Sequence, residues 1–334
     1  MKSFALLPLV AAVTISAHAE TKISDTIVVT ATRTESPMSQ VMAPVSVITA
    51  GDIARLQITE MRGVLSRITS VEALSSGGPG SSNSLFVRGG NTEHALVLID
   101  GVRTNSATLG STALQFIDVS TIERVEVVRG PRASLYGADA VSGIINIITK
   151  RPQERYFNAK VNVGSDDRHI TRLNLGDGNG TTSWSAALGF ESHGGFDRTI
   201  EDDGLNGDED TYRNVQFKAD LSHRWNDKLV TDVSYQNNQS EVEYDRSCTD
   251  KNDWTYPYDA VDCKPFSESK QELLSLSTRW DVNEQLAVFS QLAHSVDRSD
   301  NFDDVTSNDV VSGLVTFYET AKDSALLQGS YVFA

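Results

Sequence analysis

Ile122-Glu123-Arg124-Val125-Glu126-Val127-Val128-Arg129-Gly130-Pro131, followed by Gly143-Ile144-Ile145-Asn146-Ile147-Ile148-Thr149, is the stretch on which the fold turns. Both halves are rich in β-branched residues and flanked by glycine or proline, the composition of short strands. Working upstream, Pro44-Val45-Ser46-Val47-Ile48-Thr49 alternates at period two and is expected as a strand that Thr49 closes. Ala50-Gly51-Asp52 then opens a helix to about residue 56. Thr59 is expected to cap a second helix over residues 60–68, with Met61, Val64, Leu65 and Ile68 on one face. A Gly/Ser loop fills residues 75–83. Leu85-Phe86-Val87-Arg88-Gly89 and residues 95–99 are expected strands, and Asp100-Gly101 is a tight-turn pair. Residues 106–111 make another small-residue loop. Residues 44–150 thus form one compact α/β unit.

Past about residue 155 the pattern changes to longer strands without helical interruptions. Trp184, Ala186, Leu188 and Phe190 alternate with Ser183, Ser185, Ala187 and Gly189, and Val215, Phe217, Ala219 and Leu221 with Asn214, Gln216, Lys218 and Asp220. Leu229, Thr231, Val233 and Tyr235 follow, then Leu274, Leu276, Thr278 and Trp280. A soluble sandwich also alternates in this way. Two details favour a membrane barrel. Short turns at Asn226-Asp227 and Asn283-Glu284 alternate with long polar connections over residues 197–211 and 246–269, and Trp184, Trp225, Tyr235 and Trp280 are expected near strand ends.

The N-terminus carries Lys2, an apolar run over residues 4–15 and Ala17-His18-Ala19. The run is shorter than the roughly 20 residues of a membrane helix. With its basic start and small-residue end it is expected to be a signal peptide over residues 1–19, cleaved before Glu20. Residues 20–43 form a polar leader around Ile27-Val28-Val29, with little to bury and no partner strand expected nearby.

The chain has 334 residues and a formal net charge of −16. No basic stripe is available to neutralise phosphates, so nucleic acid is not an expected partner. Acidic residues gather over residues 201–210 and 297–309, either as solvated loops or as metal ligands. The chain's two cysteines, Cys248 and Cys263, share one polar segment. In an exporting compartment a bridge between them would close a loop of about 15 residues and contribute roughly 3 kcal/mol; two free thiols are the alternative. No enzyme signature is present. The six histidines are scattered, and Gly77-Gly78-Pro79-Gly80 lacks the lysine and helix of a phosphate cradle.

Three stretches in order after a signal peptide carry a family likeness: Asp25-Thr26-Ile27-Val28-Val29-Thr30-Ala31; Leu85-Phe86-Val87-Arg88-Gly89 with Val97-Leu98-Ile99-Asp100-Gly101-Val102-Arg103; and the opening stretch with Tyr136-Gly137-Ala138-Asp139-Ala140 between its halves. Together they resemble TonB-dependent outer-membrane transporters, and within these most resemble receptors for cobalamin (vitamin B12). Siderophore and haem receptors share the plug signature. The implied fold is an N-terminal α/β plug, residues 44–150, inside a transmembrane antiparallel β-barrel. Residues 151–334 would supply about eight or nine strands, where plugged transporters close with about 22. An open barrel leaves unpaired backbone in lipid, so a fragment or truncated product is expected.

The resemblance assigns Asp25–Ala31 as the TonB box, able to add as a strand to the edge of a sheet in TonB; an ordinary first strand of the plug is the alternative. It places cobalamin contacts on Ser82, Ser84, Asn91, Leu109 and Gly110, where small groups let a bulky corrinoid approach. Ser82 departs from the family's bulkier apolar residue. It also suggests calcium, held by Asp197, Asn206, Asp208 and Asp210 in one long loop and Tyr244, Asp245 and Asp262 in the next. Hard oxygens from two loops suit that ion, and Asp262 is the looser match because its cysteine-containing loop differs in length and composition. Arg88, Arg103, Arg129 and Arg132 are candidates to pair with carboxylates on the barrel wall, or are simple plug surface charge. The expected function is energised uptake of a scarce nutrient without covalent chemistry. A passive porin or adhesion barrel, or a secreted binding module with a sandwich tail, are the competing classes.

Overall fold

The computed structural model describes residues 27–28, 36–37, 41, 43–106, 110–195, 210–244, 248–249, 260–261, 265–303 and 313–333. Two short ladders stand apart. In the leader, β1 (Ile27–Val28) pairs antiparallel with β2 (Ser36–Pro37), so the expectation that this run lacks a neighbouring strand is corrected.

The α/β unit follows in the order β3 (Val45–Thr49), α1 (Ala50–Arg55), α2 (Met61–Leu65), β4 (Val71–Ser75), β5 (Asn83–Val87), β6 (Ala95–Ile99), β7 (Val102–Arg103), β8 (Ile122–Arg129), α3 (Ala133–Tyr136) and β9 (Gly143–Thr149). Five strands form one mixed sheet in the order β3-β8-β9-β6-β7, with β6 and β9 parallel, while β4 and β5 make a separate hairpin. The Ile122–Thr149 stretch therefore supplies two of the sheet's three interior strands, β8 and β9. Their side chains alternate between two apolar layers. Val125, Val127, Ile145 and Ile147 face the main core with Met61, Val64, Leu65 and Leu85, and Ile144 faces a smaller cluster with Leu96, Leu98 and Tyr136.

Thr49 both ends β3 and starts α1. Its hydroxyl accepts from the Asp52 amide at 3.2 Å and its own amide donates to the Asp52 carboxylate at 3.1 Å, a reciprocal capping box. The Thr49 hydroxyl, then its backbone N–H, hold the Asp52 carboxyl below the ordinary range. The second helix differs from expectation. It runs only over Met61–Leu65, its cap position is Glu60 and not Thr59, and no side chain caps it. The Glu60 carboxylate is drawn instead to Arg62 and Arg168. The expected apolar face is nonetheless buried, since Ile68 is reached by further turns. Strand β5 ends at Val87 because Arg88 and Gly89 take φ of 52° and 75° and turn the chain. Asp100 and Gly101, with φ of 49° and 82°, make the β6–β7 hairpin turn, for which two left-handed residues match the twist of the strands.

The second body is an eight-stranded antiparallel meander. Its strands are β10 (Tyr156–Val163), β11 (His169–Gly178), β12 (Thr182–His193), β13 (Tyr212–Asn226), β14 (Leu229–Glu243), β17 (Phe266–Asp281), β18 (Leu286–Asp303) and β19 (Gly313–Tyr331). A two-residue ladder of β15 (Cys248–Thr249) with β16 (Ala260–Val261) lies between β14 and β17. Residues 297–303, expected in an acidic loop, belong to β18.

Which face is buried separates the barrel from the sandwich. On β12 and β13 the apolar residues Leu188, Phe190, Val215 and Phe217 are 40–50% exposed, whereas Asn214, Gln216 and Lys218 are at most 9% exposed. A sandwich buries its apolar face. This sheet buries its polar face against the plug and turns the apolar face outward, as a membrane barrel does. Trp184, Trp225 and Trp280 sit at the strand ends joined by short turns, while Tyr235 lies mid-strand opposite Ala219 and Leu274, against expectation. Among the described residues no helix is long and apolar enough to cross a membrane; strands are the crossing elements.

Candidate functional site

The plug meets the wall mainly through polar groups, and the polarity of the ion pairs reverses the sequence expectation. Arg168 in the β10–β11 turn pairs with plug Glu60 at 3.2 Å and wall Glu191 at 3.0 Å. Arg172 of β11 pairs with plug Asp118 at 3.3 Å and Glu191 at 3.0 Å. Lys218 of β13 stands 3.8 Å from plug Asp100. Here the wall supplies the cations. Among the described residues none of the four plug arginines meets a wall carboxylate. Arg103 pairs with Asp139 inside the plug at 3.3 Å, and Arg129 donates to the Thr69 carbonyl at 2.7 Å and the Ser46 hydroxyl at 2.9 Å. These arginines are spent bracing the plug's own turns. Neutral donors follow the wall's pattern: Gln216 donates to the Phe116 carbonyl at 2.8 Å and Gln291 to the Asp100 carbonyl at 3.1 Å. Among the described residues, the wall's members of the plug's apolar clusters are Leu273 and Ala293 in the main core and Tyr212 and Val242 around Phe116.

Where the plug passes into the wall, Asp100 accepts from the Thr149 amide at 3.0 Å and hydroxyl at 2.7 Å. Lys150 donates to the Ser120 carbonyl at 2.8 Å. Burial pushes its ammonium pKa down, against the opposing carboxylates of Asp118 and Glu123.

The expected substrate residues gather at one end of the plug. Ser84 is the second residue of β5, and the following Leu85 amide donates to the Thr92 hydroxyl at 2.9 Å, drawing β5 to the turn that carries exposed Asn91. Gly110 lies against Glu93, whose Cβ is 3.0 Å from where a Cβ on Gly110 would sit. Ser84, Asn91 and Gly110 therefore share one patch. Ser82 flanks it, with its carbonyl accepting from the Ser76 amide at 3.0 Å. Leu109 lies outside the described residues. Gly80, at the tip of the same hairpin loop, touches the Tyr212 ring and Val242 at the wall's long-loop end. Small residues at the tip permit that approach.

Of the expected calcium ligands, Asp210 and Tyr244 are described; Asp197, Asn206, Asp208, Asp245 and Asp262 lie outside the described residues. Asp210 is 2% exposed. The two long connections leave from neighbouring strands, with Tyr212 paired to Val242. Their bases are tied by Glu243, whose amide donates to the Thr211 carbonyl and whose carboxylate accepts from the Thr211 amide, both at 2.9 Å. No metal-binding group of three ligands occurs among the described residues. In the leader, Ile27 and Val28 of the expected TonB box are described as strand; Asp25, Thr26, Val29, Thr30 and Ala31 lie outside. For the cysteines, the Cys248 backbone is in β15 and Cys263 lies outside.

Sequence reasoning missed the fully buried Glu126, held by Arg124 at 2.7 Å within β8. It also missed Asn105, whose side chain bonds three backbone groups, and Lys322, which reaches the plug from β19. Asn105 had a signal in its neighbours, a polar residue two positions after the β6–β7 hairpin; Lys322 had none.

Comparison with known proteins agrees with this architecture. The family model "TonB-dependent Receptor Plug Domain" matches residues 37–144. The vitamin B12 transporter BtuB of Photobacterium profundum is 33% identical over 85% of this chain and 45% of its own length; that of Vibrio vulnificus is 36% identical over 67% and 37%. The chain thus spans less than half the length of these curated relatives. Among solved structures, the siderophore receptor PiuA from Acinetobacter baumannii superposes with a TM-score of 0.63 at 19% identity, covering 88% of this chain and 43% of that one. The import receptor Fiu from E. coli K12 gives 0.61 at 17%, covering 88% and 46%. At such identities these structures speak for the fold alone. A plug packed on the polar face of an outward-apolar antiparallel wall, with a matching plug model and transporter relatives, places this chain in the TonB-dependent receptor family.

Proposed function

We propose that the protein is a cobalamin transporter of the outer membrane, exported by cleavage of residues 1–19 and driven by TonB. The observation that carries cobalamin over a ferric chelate is the 33–36% identity to two vitamin B12 transporters, against 17–21% to siderophore-receptor structures. The plug's loop end supports the same reading. Ser82, Ser84, Asn91 and Gly110 offer small side chains and accessible backbone to a large, many-sided ligand. The TonB box, residues 25–31, already holds a strand at Ile27–Val28 and would exchange its two-residue ladder for the edge of a TonB sheet. Calcium ordering of the two long loops belongs to this reading. Buried Asp210 and half-buried Tyr244 stand at loop bases that rise from adjacent strands, and Asp197, Asn206, Asp208, Asp245 and Asp262 would complete an oxygen set. Calcium would supply only rigidity there.

Outer-membrane preparations should bind cyanocobalamin in preference to ferric enterobactin or haem; preference for an iron chelate or haem would move the protein to that cargo. Removing residues 25–31 should abolish uptake and spare binding. Unchanged uptake would make the barrel passive. Hydrogen exchange in residues 197–210 and 244–262 should slow with calcium, and no change at millimolar calcium would remove the ion from the reading.

A further inference from the structure

We infer that Lys322 on the inner wall of the barrel is a positioning residue for the substrate loop, acting through the plug residue Asn105. The inference rests on the proposed cargo site at the plug's loop end. Strand β7 covers only Leu98 and Ile99 of β6, so the edge of β6 at Ala95 and Val97 needs another partner. Asn105 supplies it. Its side-chain oxygen accepts from the Val97 amide at 3.0 Å, and its side-chain nitrogen donates to the Ala95 carbonyl at 3.2 Å. The second proton of that nitrogen goes to the Gly110 carbonyl at 3.0 Å. A single buried amide, 9% exposed, thus fastens Gly110 to the plug's sheet.

The backbone of the same residue is held from the wall. Lys322 of β19 donates to the Asn105 carbonyl at 3.1 Å. On the neighbouring strand β18, the Asp297 carboxylate accepts from Gln271 at 3.3 Å and lines one small cavity with Lys322, Asn105 and Ser106. Two adjacent wall strands therefore face two consecutive plug residues, and Lys322 grips the first of them. Two backbone bonds at 2.9 Å, from the Gly110 amide to the Ser106 carbonyl and from the Ser106 amide to the Ser111 carbonyl, carry that grip into the loop. Movement of β19 displaces Asn105, and the Asn105 side chain passes the displacement to Gly110. The strands of the wall and the cargo-facing loop of the plug are then one mechanical unit. A hydrogen bond to a charged donor is worth about one to two decades in an opening equilibrium, so Lys322 is a device that sets the loop's order.

The test is amide exchange at Ser106 and Gly110 in the ligand-free protein in outer-membrane vesicles, with cyanocobalamin binding measured beside it. Lys322→Met should speed exchange at both amides about 10-fold or more and weaken cyanocobalamin by a similar factor, and Lys322→Arg should restore both. Asn105→Asp, which replaces the donor to Gly110 with an acceptor, should speed Gly110 by itself and serves where Lys322→Met does not insert. Gln291→Leu removes a different wall-to-plug bond, at Asp100, and should leave Ser106 and Gly110 unchanged. Exchange unaltered by Lys322→Met, or accelerated equally by Gln291→Leu, overturns the inference. If exchange responds as expected while the unaltered protein does not bind cyanocobalamin, the coupling stands and the cobalamin reading fails.

Discussion

Replacing Arg172 with alanine should loosen the plug from the wall at one identifiable place. The guanidinium bridges plug Asp118 at 3.3 Å and wall Glu191 at 3.0 Å, with side chains 9%, 11% and 11% exposed. Removing one member of a buried ion pair generally costs about 3–5 kcal/mol, because the partner is left charged and poorly solvated. Both carboxylates keep some support here. Asp118 still accepts from the Ser120 amide at 2.9 Å and hydroxyl at 2.8 Å, and Glu191 keeps Arg168 at 3.0 Å. A cleft of about 810 Å³ bordered by Asp118 and Arg172 also admits water. The loss should therefore fall near the lower bound, about 3 kcal/mol, or roughly a hundredfold in a local opening equilibrium. The reporter is the Lys150 amide, which donates to the Thr121 carbonyl at 2.9 Å just past the Asp118 turn. Its hydrogen exchange should accelerate about a hundredfold, while the central amides of β8 and β9 keep their protection. Arg172→Lys should recover part of the loss, since an ammonium cannot fork between two carboxylates. Exchange at Lys150 and Ser120 within about threefold of the unaltered protein, well inside the scatter of such values, would refute a structural role for the pair.

Gly80→Val should unseat the hairpin tip, because a Cβ there would overlap the Tyr212 ring and Val242 and the φ of +78° suits glycine; a cost of at least about 1–2 kcal/mol is expected, read as faster proteolysis over residues 76–82. Thr49→Val should cost about 1 kcal/mol at neutral pH by removing the cap. Because the Asp52 carboxyl is held low in the folded state, its contribution is full above the unfolded value of about 3.9 and fades as pH falls through the lower folded value. The substitution should therefore flatten the acid limb of a stability–pH curve measured by urea unfolding. Leu188→Arg places a charge on the lipid-facing side of β12, where Leu188 is 50% exposed; a cost of about 2–4 kcal/mol should appear as a smaller folded fraction in lipid, resolved by heat-modifiable mobility in gels.

What could be read from the chain depended on the range of the interaction. Period-two alternation located β12, β13, β14 and β17, and the two flanked β-branched runs located β8 and β9, because strand character is local. The Asp100-Gly101 turn was equally legible, since two left-handed residues are a property of those residues alone. The short second helix was not. Glu60 looked like a first-turn residue behind a Thr59 cap, yet its carboxylate answers to Arg168, a contact 108 residues away in the chain. The acidic run at residues 297–303 failed similarly: charge density suggested a loop, but on an inward-facing strand a carboxylate such as Asp297 accepts from Gln271 beside the plug.

The plug arginines show where such reading stops. Sequence gives the sign of each charge, while the partner is set by how two sheets dock. Arg103 and Arg129 close turns within the plug, so the surface it offers the wall is made largely of carboxylates and carbonyls: Glu60, Asp100, Asp118 and the backbone oxygens of Phe116, Asp100 and Asn105. The wall answers with Arg168, Arg172, Lys218, Gln216, Gln291 and Lys322. A polar interface of this kind suits the plug movement that the proposed TonB coupling requires. Bonds to the wall are exchanged for bonds to water at a net cost of only about 1 kcal/mol for neutral pairs and a few for charged ones, whereas an apolar seam would resist wetting over its whole area. Among the described residues, the apolar clusters that the wall joins, at Leu273 and Ala293 and around Phe116, are local. Resistance to displacement is then concentrated in a handful of charged bridges. A pull on the leader would have to break those first, and the order in which Arg172, Lys218 and Lys322 let go becomes the order in which the plug leaves the wall.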